Sequence, residues 1–210
     1  SVLMDASVLA KFGLAADDVA RLATGSKFPP VVAGRVAHID ADFTAHQISA
    51  ETRAELDEYD KTPRRTLEQM KAQAIDAVSF IRDMAGAEFA HLHTTHNSNK
   101  GGRNEAAILK PYQAHRASSE SPVHLDAIRL YLASGLGGAV RGVTGENHTD
   151  QEADDGLAQA AYNDPENAVI CSKDKDLLMV PGWKLDMYDL TIVKPTDAFG
   201  KLWIKYSGKD

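Results

Sequence analysis

The stretch EADDGLAQAAYNDPENAVICSKDKDL, residues 152–177, contains the pattern that decides the fold class. An acid-rich, helix-forming segment leads into the short apolar run Ala168–Cys171, and a second acidic burst follows that run. A short apolar run bounded by turn residues is typical of a buried strand, so the stretch predicts a helix followed by a strand. Carboxylates crowded on both sides of such a strand repel one another unless they face solvent separately or share bound cations.

The rest of the chain continues this alternation of strands and helices. Thr62 and Pro63 are predicted to start the longest helix, and Thr149 with Glu152 is predicted to form a capping box. Strands are predicted in GRVAHIDADF, AEFAHLHTTH and GGAVRGVT, and KLDMYD, LTIVKP and KLWIKYS close the chain. The alternation predicts an α/β fold with a mainly parallel sheet and helices on both faces.

Length and composition indicate one globular domain. The 210 residues divide into an N-terminal helical extension, residues 1–30, and an α/β domain, residues 31–210. A net charge of −7 argues against a protein that coats nucleic acid generically. Cys171 stands alone and is predicted to be a buried, reduced thiol. With Cys171 reduced and no stretch of membrane-spanning length, we expect a cytoplasmic protein.

Seven carboxylates follow predicted strands or open the helix between two of them. In parallel α/β sheets, ligands collect at the carboxyl ends of the strands, so these acids are expected to meet on one edge. Oxygen ligands suit Mg²⁺ or Mn²⁺, and two such ions catalyse displacement at phosphorus. The ordinary alternatives are a favourable helix dipole and simple turn residues. The seven are Asp40, Asp42, Glu152, Asp154, Asp155, Asp174 and Asp176.

A locally basic segment, NSNKGGRNEAAILKPYQAHRA, contrasts with the acidic average of the chain. Its ordinary interpretation is a solvated loop, whereas opposite an acidic metal site it would attract phosphate. Its candidate DNA-binding residues are Lys100, Arg103, Lys110, Tyr112 and Arg116.

These motifs resemble the 5′-nuclease superfamily, which includes flap endonucleases, the 5′-nuclease domain of bacterial DNA polymerase I and related phage exonucleases. EADDGLA, SKDKDL and HIDADF are similar to its metal-binding motifs, and GGRNEAAILKPYQAHRASSESP is similar to its basic segment. The resemblance covers roughly residues 35–181. It implies a PIN-like core, a basic arch at about residues 97–122, and hydrolysis of DNA at 5′ ends or flaps, with a monomer favoured.

The resemblance also implies a role for each residue. Direct metal ligands would be Asp40, Glu152, Asp154 and Asp174, and direct or water-mediated ligands would be Asp42, Asp155 and Asp176. Phosphate contacts near the scissile bond would come from Arg103, Lys110 and Arg116, and Tyr112 would stack on a base.

The chain departs from the family pattern in three places. After the second strand, where the family has an acid, stands Thr95, His96 or Asn97; His91, His93 and His96 are interpreted as strand histidines, although histidine can bind metals. Gln113 replaces a common lysine. Nothing resembles the C-terminal helical hairpin, so we expect either a truncated chain, which we favour, or a minimal nuclease with an uncertain second metal site.

Two other functions stay open. HIDADFT also resembles the Asp-x-Asp-x-Thr motif of haloacid dehalogenase-type phosphatases, in which Asp40 would be the nucleophile and Asp42 the acid/base. A DNA-binding relative with an impaired metal site is the non-enzymatic alternative.

Overall fold

The computed structural model describes residues 28–51, 63–96, 121–187, 191–195 and 203–207. The predicted N-terminal extension, except for its last three residues, and the predicted arch, except for its last two, lie outside them. The helices and strands of the described chain are, in order, β1 (Val32–Asp40), α1 (Ala41–Ser49), α2 (Leu67–Met84), β2 (Ala87–Thr95), α3 (Leu125–Ala133), β3 (Val143–His148), α4 (Ala153–Asn163), β4 (Ala168–Ser172), β5 (Trp183–Asp186), β6 (Thr191–Pro195) and β7 (Trp203–Ser207). Short 3₁₀ helices occupy Leu136–Gly138 and Lys175–Met179.

The sheet has the strand order β3-β2-β1-β4-β5-β6-β7. The five strands from β3 to β5 are parallel, whereas β6 and β7 continue the sheet in antiparallel pairing. This confirms the predicted α/β fold with a mainly parallel sheet. The chain order reverses between β1 and β4, and such a switch point opens a crevice at the carboxyl ends of the strands.

Helices cover both faces of the sheet, as predicted. On one face, α1, α2 and α3 enclose the larger core, to which β1 contributes Ala37 and Ile39. On the other face, α4 and the second 3₁₀ helix enclose a smaller core around Ile170 of β4. Successive residues of a strand point to opposite faces of the sheet. His38 stands between Ala37 and Ile39 in the sequence, so its side chain lies on the opposite face, which α4 covers.

The longest helix, α2, starts later than its sequence indicated. Thr66, not Thr62, is the N-cap: its hydroxyl accepts from the Gln69 amide at 3.1 Å, and the Gln69 side chain accepts from the Thr66 amide at 2.7 Å. This reciprocal capping box satisfies two of the amides at the start of α2, which have no partner within the helix. The end is as predicted, since Gly86 follows the C-cap with a φ of +60°.

The third strand was predicted in the wrong place. Residues 137–144 contain a turn, in which Gly137, Gly138 and Gly142 all have positive φ, and β3 begins only at Val143. The polar segment that follows can form the strand because β3 stands at the end of the described sheet and pairs only with β2. One face of β3 lies beside the histidines of β2 and not in the apolar core, so polar side chains are tolerated there. The apolar spacing of 137–144 therefore misled the prediction.

Two further predictions concern Cys171 and membrane spans. Cys171 is buried in β4, as predicted, and burial raises the pKa of its thiol. Among the described residues, no helix combines the length and the apolar character needed to cross a bilayer.

Candidate functional site

Two of the predicted acids stand at the switch point of the sheet. Asp40 ends β1 and caps α1, where its Oδ1 accepts from the Phe43 amide at 3.2 Å. Asp174 follows β4 and caps the 3₁₀ helix, where its Oδ1 accepts from the Asp176 amide at 3.0 Å. Because β1 and β4 are neighbours, both carboxylates lie at the crevice that the fold opens.

A serine hydroxyl joins these two acids. Ser172 Oγ lies 3.4 Å from Asp40 Oδ2, to which it donates, and it accepts from the Asp174 amide at 3.0 Å. The hydroxyl thus orients the Asp40 carboxylate and the Asp174 backbone together. Sequence analysis passed over Ser172, although its position at the end of a buried strand, two residues before Asp174, was a usable signal.

Asp42 is held by a buried arginine. Arg129 of α3 approaches Asp42 Oδ1 with Nε at 3.1 Å, and with its terminal nitrogen at 3.0 Å. The Thr95 amide donates to Asp42 Oδ2 at 3.0 Å. The Arg129 side chain is only 9% exposed, so this is a structural ion pair at the carboxyl end of β1. Metal binding by Asp42 stays a prediction, and its observed contacts favour a positioning role.

The missed Arg129 left a trace in the sequence. It stands on the helical face of α3 that also carries the buried Ile128 and Leu132. A charged residue within an apolar helical stripe requires a buried partner, because unpaired burial of charge is costly. The partner, however, is 87 positions away in the sequence, and only the fold identifies it.

Thr95 brings the start of α4 to the same edge of the sheet. Its hydroxyl accepts from the Ala153 amide at 2.9 Å, and Glu152 is the N-cap residue without a side-chain cap bond. The predicted Thr149–Glu152 capping box is therefore wrong, because a threonine from β2 caps the helix instead. Thr95 is one of the three residues, with His96 and Asn97, at which the acid of the resembled family was expected, and its hydroxyl serves the helix.

The hydrogen bond from Ala153 to Thr95 places the start of α4 beside the end of β2. Glu152 and Asp154 are half-buried, whereas Asp155 and Asp176 are exposed. We call the acids that are predicted to meet at this edge the acidic rim, and its members are Asp40, Asp42, Glu152, Asp154, Asp155, Asp174 and Asp176. The chain of contacts through Ser172, Arg129 and Thr95 joins the ends of β1, β2 and β4 to the start of α4.

One lysine stands within the rim. Lys173 lies between Ser172 and Asp174 in the chain, and its ammonium is 5.3 Å from the Phe43 ring centroid. Burial lowers the pKa of Lys173, while Asp186 opposes that shift. Sequence analysis did not single it out. The predicted DNA-binding residues Lys100, Arg103, Lys110, Tyr112 and Arg116 lie outside the described residues.

Histidines form a row across the sheet beneath α4. His38 Nδ1 and His93 Nε2 are 2.8 Å apart, and His93 Nδ1 and His148 Nε2 are 2.7 Å apart. His91 stands beside them and contacts Glu146 of β3. The strand histidines were interpreted as surface or partly buried. His91 and His96 fit that interpretation, whereas His93 is 2% exposed.

Protonation of His38 and His93 is suppressed. Burial, followed by the nearby His38, His91 and His148, lowers the pKa of His93 to about 2. Burial, with a further contribution from His91, lowers the pKa of His38 to about 4. Both imidazoles are therefore neutral near pH 7, so each has one N–H donor and one acceptor nitrogen.

Comparison with known proteins adds no relative to these observations. No protein-family model matches the chain, and neither the curated proteins nor the solved structures give a match.

Proposed function

We propose that this protein is a divalent-metal-dependent nuclease that hydrolyses phosphodiester bonds at 5′ ends or flaps of DNA in the cytoplasm of a bacterium or phage-infected host. The observation that carries the proposal is the contact chain at the carboxyl edge, through which Ser172, Thr95 and Arg129 hold acids from separate parts of the sequence. The resemblance of the acidic motifs to 5′-nucleases supports the same activity.

The donor atoms on the rim fit Mg²⁺ or Mn²⁺. All the predicted ligands are carboxylates, and hard divalent ions prefer oxygen ligands. Asp40, Glu152, Asp154 and Asp174 would hold the ions. Divalent ions bound there would activate water and stabilise negative charge on the phosphate.

The protein's own groups position these ligands. Ser172 fixes Asp40 with respect to the Asp174 backbone, and Thr95 anchors the start of α4, which carries Glu152 and Asp154. Lys173 adds positive charge within the rim, where a phosphate would enter. Basic residues of the predicted arch would contact the phosphate from above, in keeping with the family resemblance.

The observed contacts favour this activity over a phosphatase that uses Asp40 and Asp42. A catalytic acid/base must reach the substrate and exchange a proton with it. Asp42 instead receives hydrogen bonds from Arg129 and from the Thr95 amide. Protein donors therefore occupy both oxygens of Asp42, which leaves them poorly placed to exchange a proton with a substrate.

Cleavage of a 5′-labelled flap substrate tests the proposal. Protein stripped with EDTA should cut only after addition of Mg²⁺ or Mn²⁺, and Asp174→Asn should lower the rate by at least ~100-fold, because it alters a ligand rather than its support. The matched control is Asp164→Asn, at the C-cap of α4, where the Asp164 carboxylate accepts from the Asn167 side-chain amide at 3.3 Å.

Three results would contradict the proposal. Equal cleavage by wild type and Asp174→Asn would exclude the rim as the active site. Tight binding of branched DNA without cleavage at saturating Mn²⁺ would identify a DNA-binding relative. A phosphoenzyme trapped on Asp40 would identify a phosphatase.

A further inference from the structure

A group of nitrogen and oxygen donors lies deeper on the same sheet face as the rim. His91 and His93 are two residues apart on β2, so their side chains share the α4 face. In the parallel pairing with β3, His91 is opposite Thr144 and His93 is opposite Glu146. The sheet register therefore brings two imidazoles and one carboxylate together from neighbouring strands.

The distances among these donors are close to those of a metal site. One ligand atom from each of His91, His93 and Glu146 lies within 4.8 Å of the others, and His91 Nε2 is 3.2 Å from Glu146 Oε2. Two ligands with bonds of ~2.0–2.1 Å to a tetrahedral ion are about 3.4 Å apart. One pair is already at that spacing, and the third donor needs a shift of little more than about 1 Å.

Hydrogen bonds prepare His91 to act as a ligand. His91 Nδ1 is 2.6 Å from Thr144 Oγ1, a hydroxyl that can accept a proton from it. With metal bound, the proton would be on Nδ1 and would be donated to Thr144, and the Nε2 lone pair, on the side of Glu146, would bind the ion. A hydrogen bond at the remote nitrogen is the usual way in which proteins orient a ligating histidine.

His93 supplies the buried donor of the group. His93 is 2% exposed, and both of its ring nitrogens contact other histidines, so an ion would replace one of these contacts. Glu146, with a side chain that is 54% exposed, leaves the site open to solvent on one side.

We propose that His91, His93 and Glu146 form a second metal site, which takes Zn²⁺ or a similar transition-metal ion and keeps a coordination position open. Two imidazoles and one carboxylate select Zn²⁺ over Mg²⁺, which prefers oxygen ligands. The acidic rim has the opposite preference. The inference is independent of the proposed nuclease activity, since it concerns binding of a different ion by different residues.

Titration calorimetry with Zn²⁺ tests the site. The protein is stripped with EDTA, dialysed, and measured with Mg²⁺ in excess, so that the oxygen ligands of the rim are occupied. Wild type should bind one Zn²⁺ at this site, and Co²⁺ in its place should give the visible absorption of a four- or five-coordinate ion. His91→Ala and Glu146→Gln should each weaken Zn²⁺ binding by at least ~100-fold, more than loss of an outer-shell partner.

Control variants separate this site from adventitious binding and from the rim. His91 and Glu146 are partly exposed, so both variants should fold, which circular dichroism verifies. His124→Ala removes a histidine at the start of α3, which is not a member of the proposed site, and should leave the Zn²⁺ affinity unchanged. Asp174→Asn should also keep it.

The inference is overturned if wild type binds no Zn²⁺, or if His91→Ala and Glu146→Gln bind it as tightly as wild type does. Absence of nuclease activity with intact Zn²⁺ binding would refute the proposed function and leave this site standing.

Discussion

The contact between α4 and the histidine row predicts that a glycine-to-alanine substitution in this helix lowers stability, whereas helix propensity alone predicts an increase. Gly156 lies in the interior of α4, where replacing glycine by alanine ordinarily stabilises a helix by ~1 kcal/mol. A Cβ at Gly156, however, would lie 2.3 Å from His148 Nε2 and 2.5 Å from His148 Cε1. We therefore expect Gly156→Ala to destabilise the protein.

The magnitude follows from what His148 must give up to move. Its ring is 6% exposed, and its Nε2 is 2.7 Å from His93 Nδ1, so relief of the overlap breaks that contact. Overpacking costs ~1–3 kcal/mol, and a lost hydrogen bond adds ~1 kcal/mol. Subtracting the helix gain of ~1 kcal/mol leaves a net loss of ~1–3 kcal/mol in the free energy of unfolding. In a protein of this size, Tm should fall by about 2–12 °C.

Urea and thermal unfolding followed by circular dichroism measure this loss, and a double-mutant cycle assigns its cause. In a His148→Ala background the overlap is gone, so Gly156→Ala should become stabilising by up to ~1 kcal/mol. The reasoning is refuted if Gly156→Ala raises the stability of the wild-type background, or if its effect is the same in both backgrounds.

Two further predictions concern the buried ionisable side chains Arg129 and His93. Arg129→Met should lower the free energy of unfolding by ~3 kcal/mol, because it leaves the Asp42 carboxylate without its cationic partner. In urea unfolding, the double variant Arg129→Met/Asp42→Asn should recover part of that loss, and no recovery would contradict a stabilising ion pair. In EDTA-treated protein, the pKa of His93 in the folded state (about 2) lies below its ordinary value of 6.5, so the unfolded chain takes up the proton first as the pH falls. The free energy of unfolding should therefore decrease below pH ~6.5, by ~1.4 kcal/mol per pH unit for this histidine. The slope between pH 6.5 and 5 should be smaller in His93→Gln, and an equal slope would contradict a buried neutral His93.

The sequence predicted those parts of the fold that depend on local patterns. Strands β1, β2 and β4 follow from short apolar runs bounded by polar residues, and the end of α2 follows from Gly86. The start of α2 and the position of β3 could not be read in the same way. Thr62 and Thr66 offer the same capping chemistry, and the apolar spacing before β3 belongs to a turn.

The position of each candidate acid after a strand or at the start of a helix was predictable from local patterns, whereas metal binding by these acids stays a prediction. The supports of the acids were not predictable, since Arg129 contacts Asp42 from 87 positions away and Ser172 contacts Asp40 from 132 positions away. The Zn²⁺ candidate required the register of β2 and β3 as well. With β3 predicted at residues 137–144, Glu146 lay outside the strand, and nothing aligned it with His93.

Thr95 explains how an edge that lacks the expected second-strand acid still holds its geometry. Its hydroxyl caps α4 at Ala153, its amide donates to Asp42, and its carbonyl accepts from Arg129. An aspartate at this position would place a second negative charge beside Asp42. In the described part of the chain, Arg129 is the one arginine seen to contact Asp42, so the second charge would share that single cationic partner. Threonine instead supplies an acceptor for the helix amide without adding charge. On this argument Thr95 organises the carboxyl edge, while the metal binding that we propose for β2 involves His91 and His93, farther from that edge.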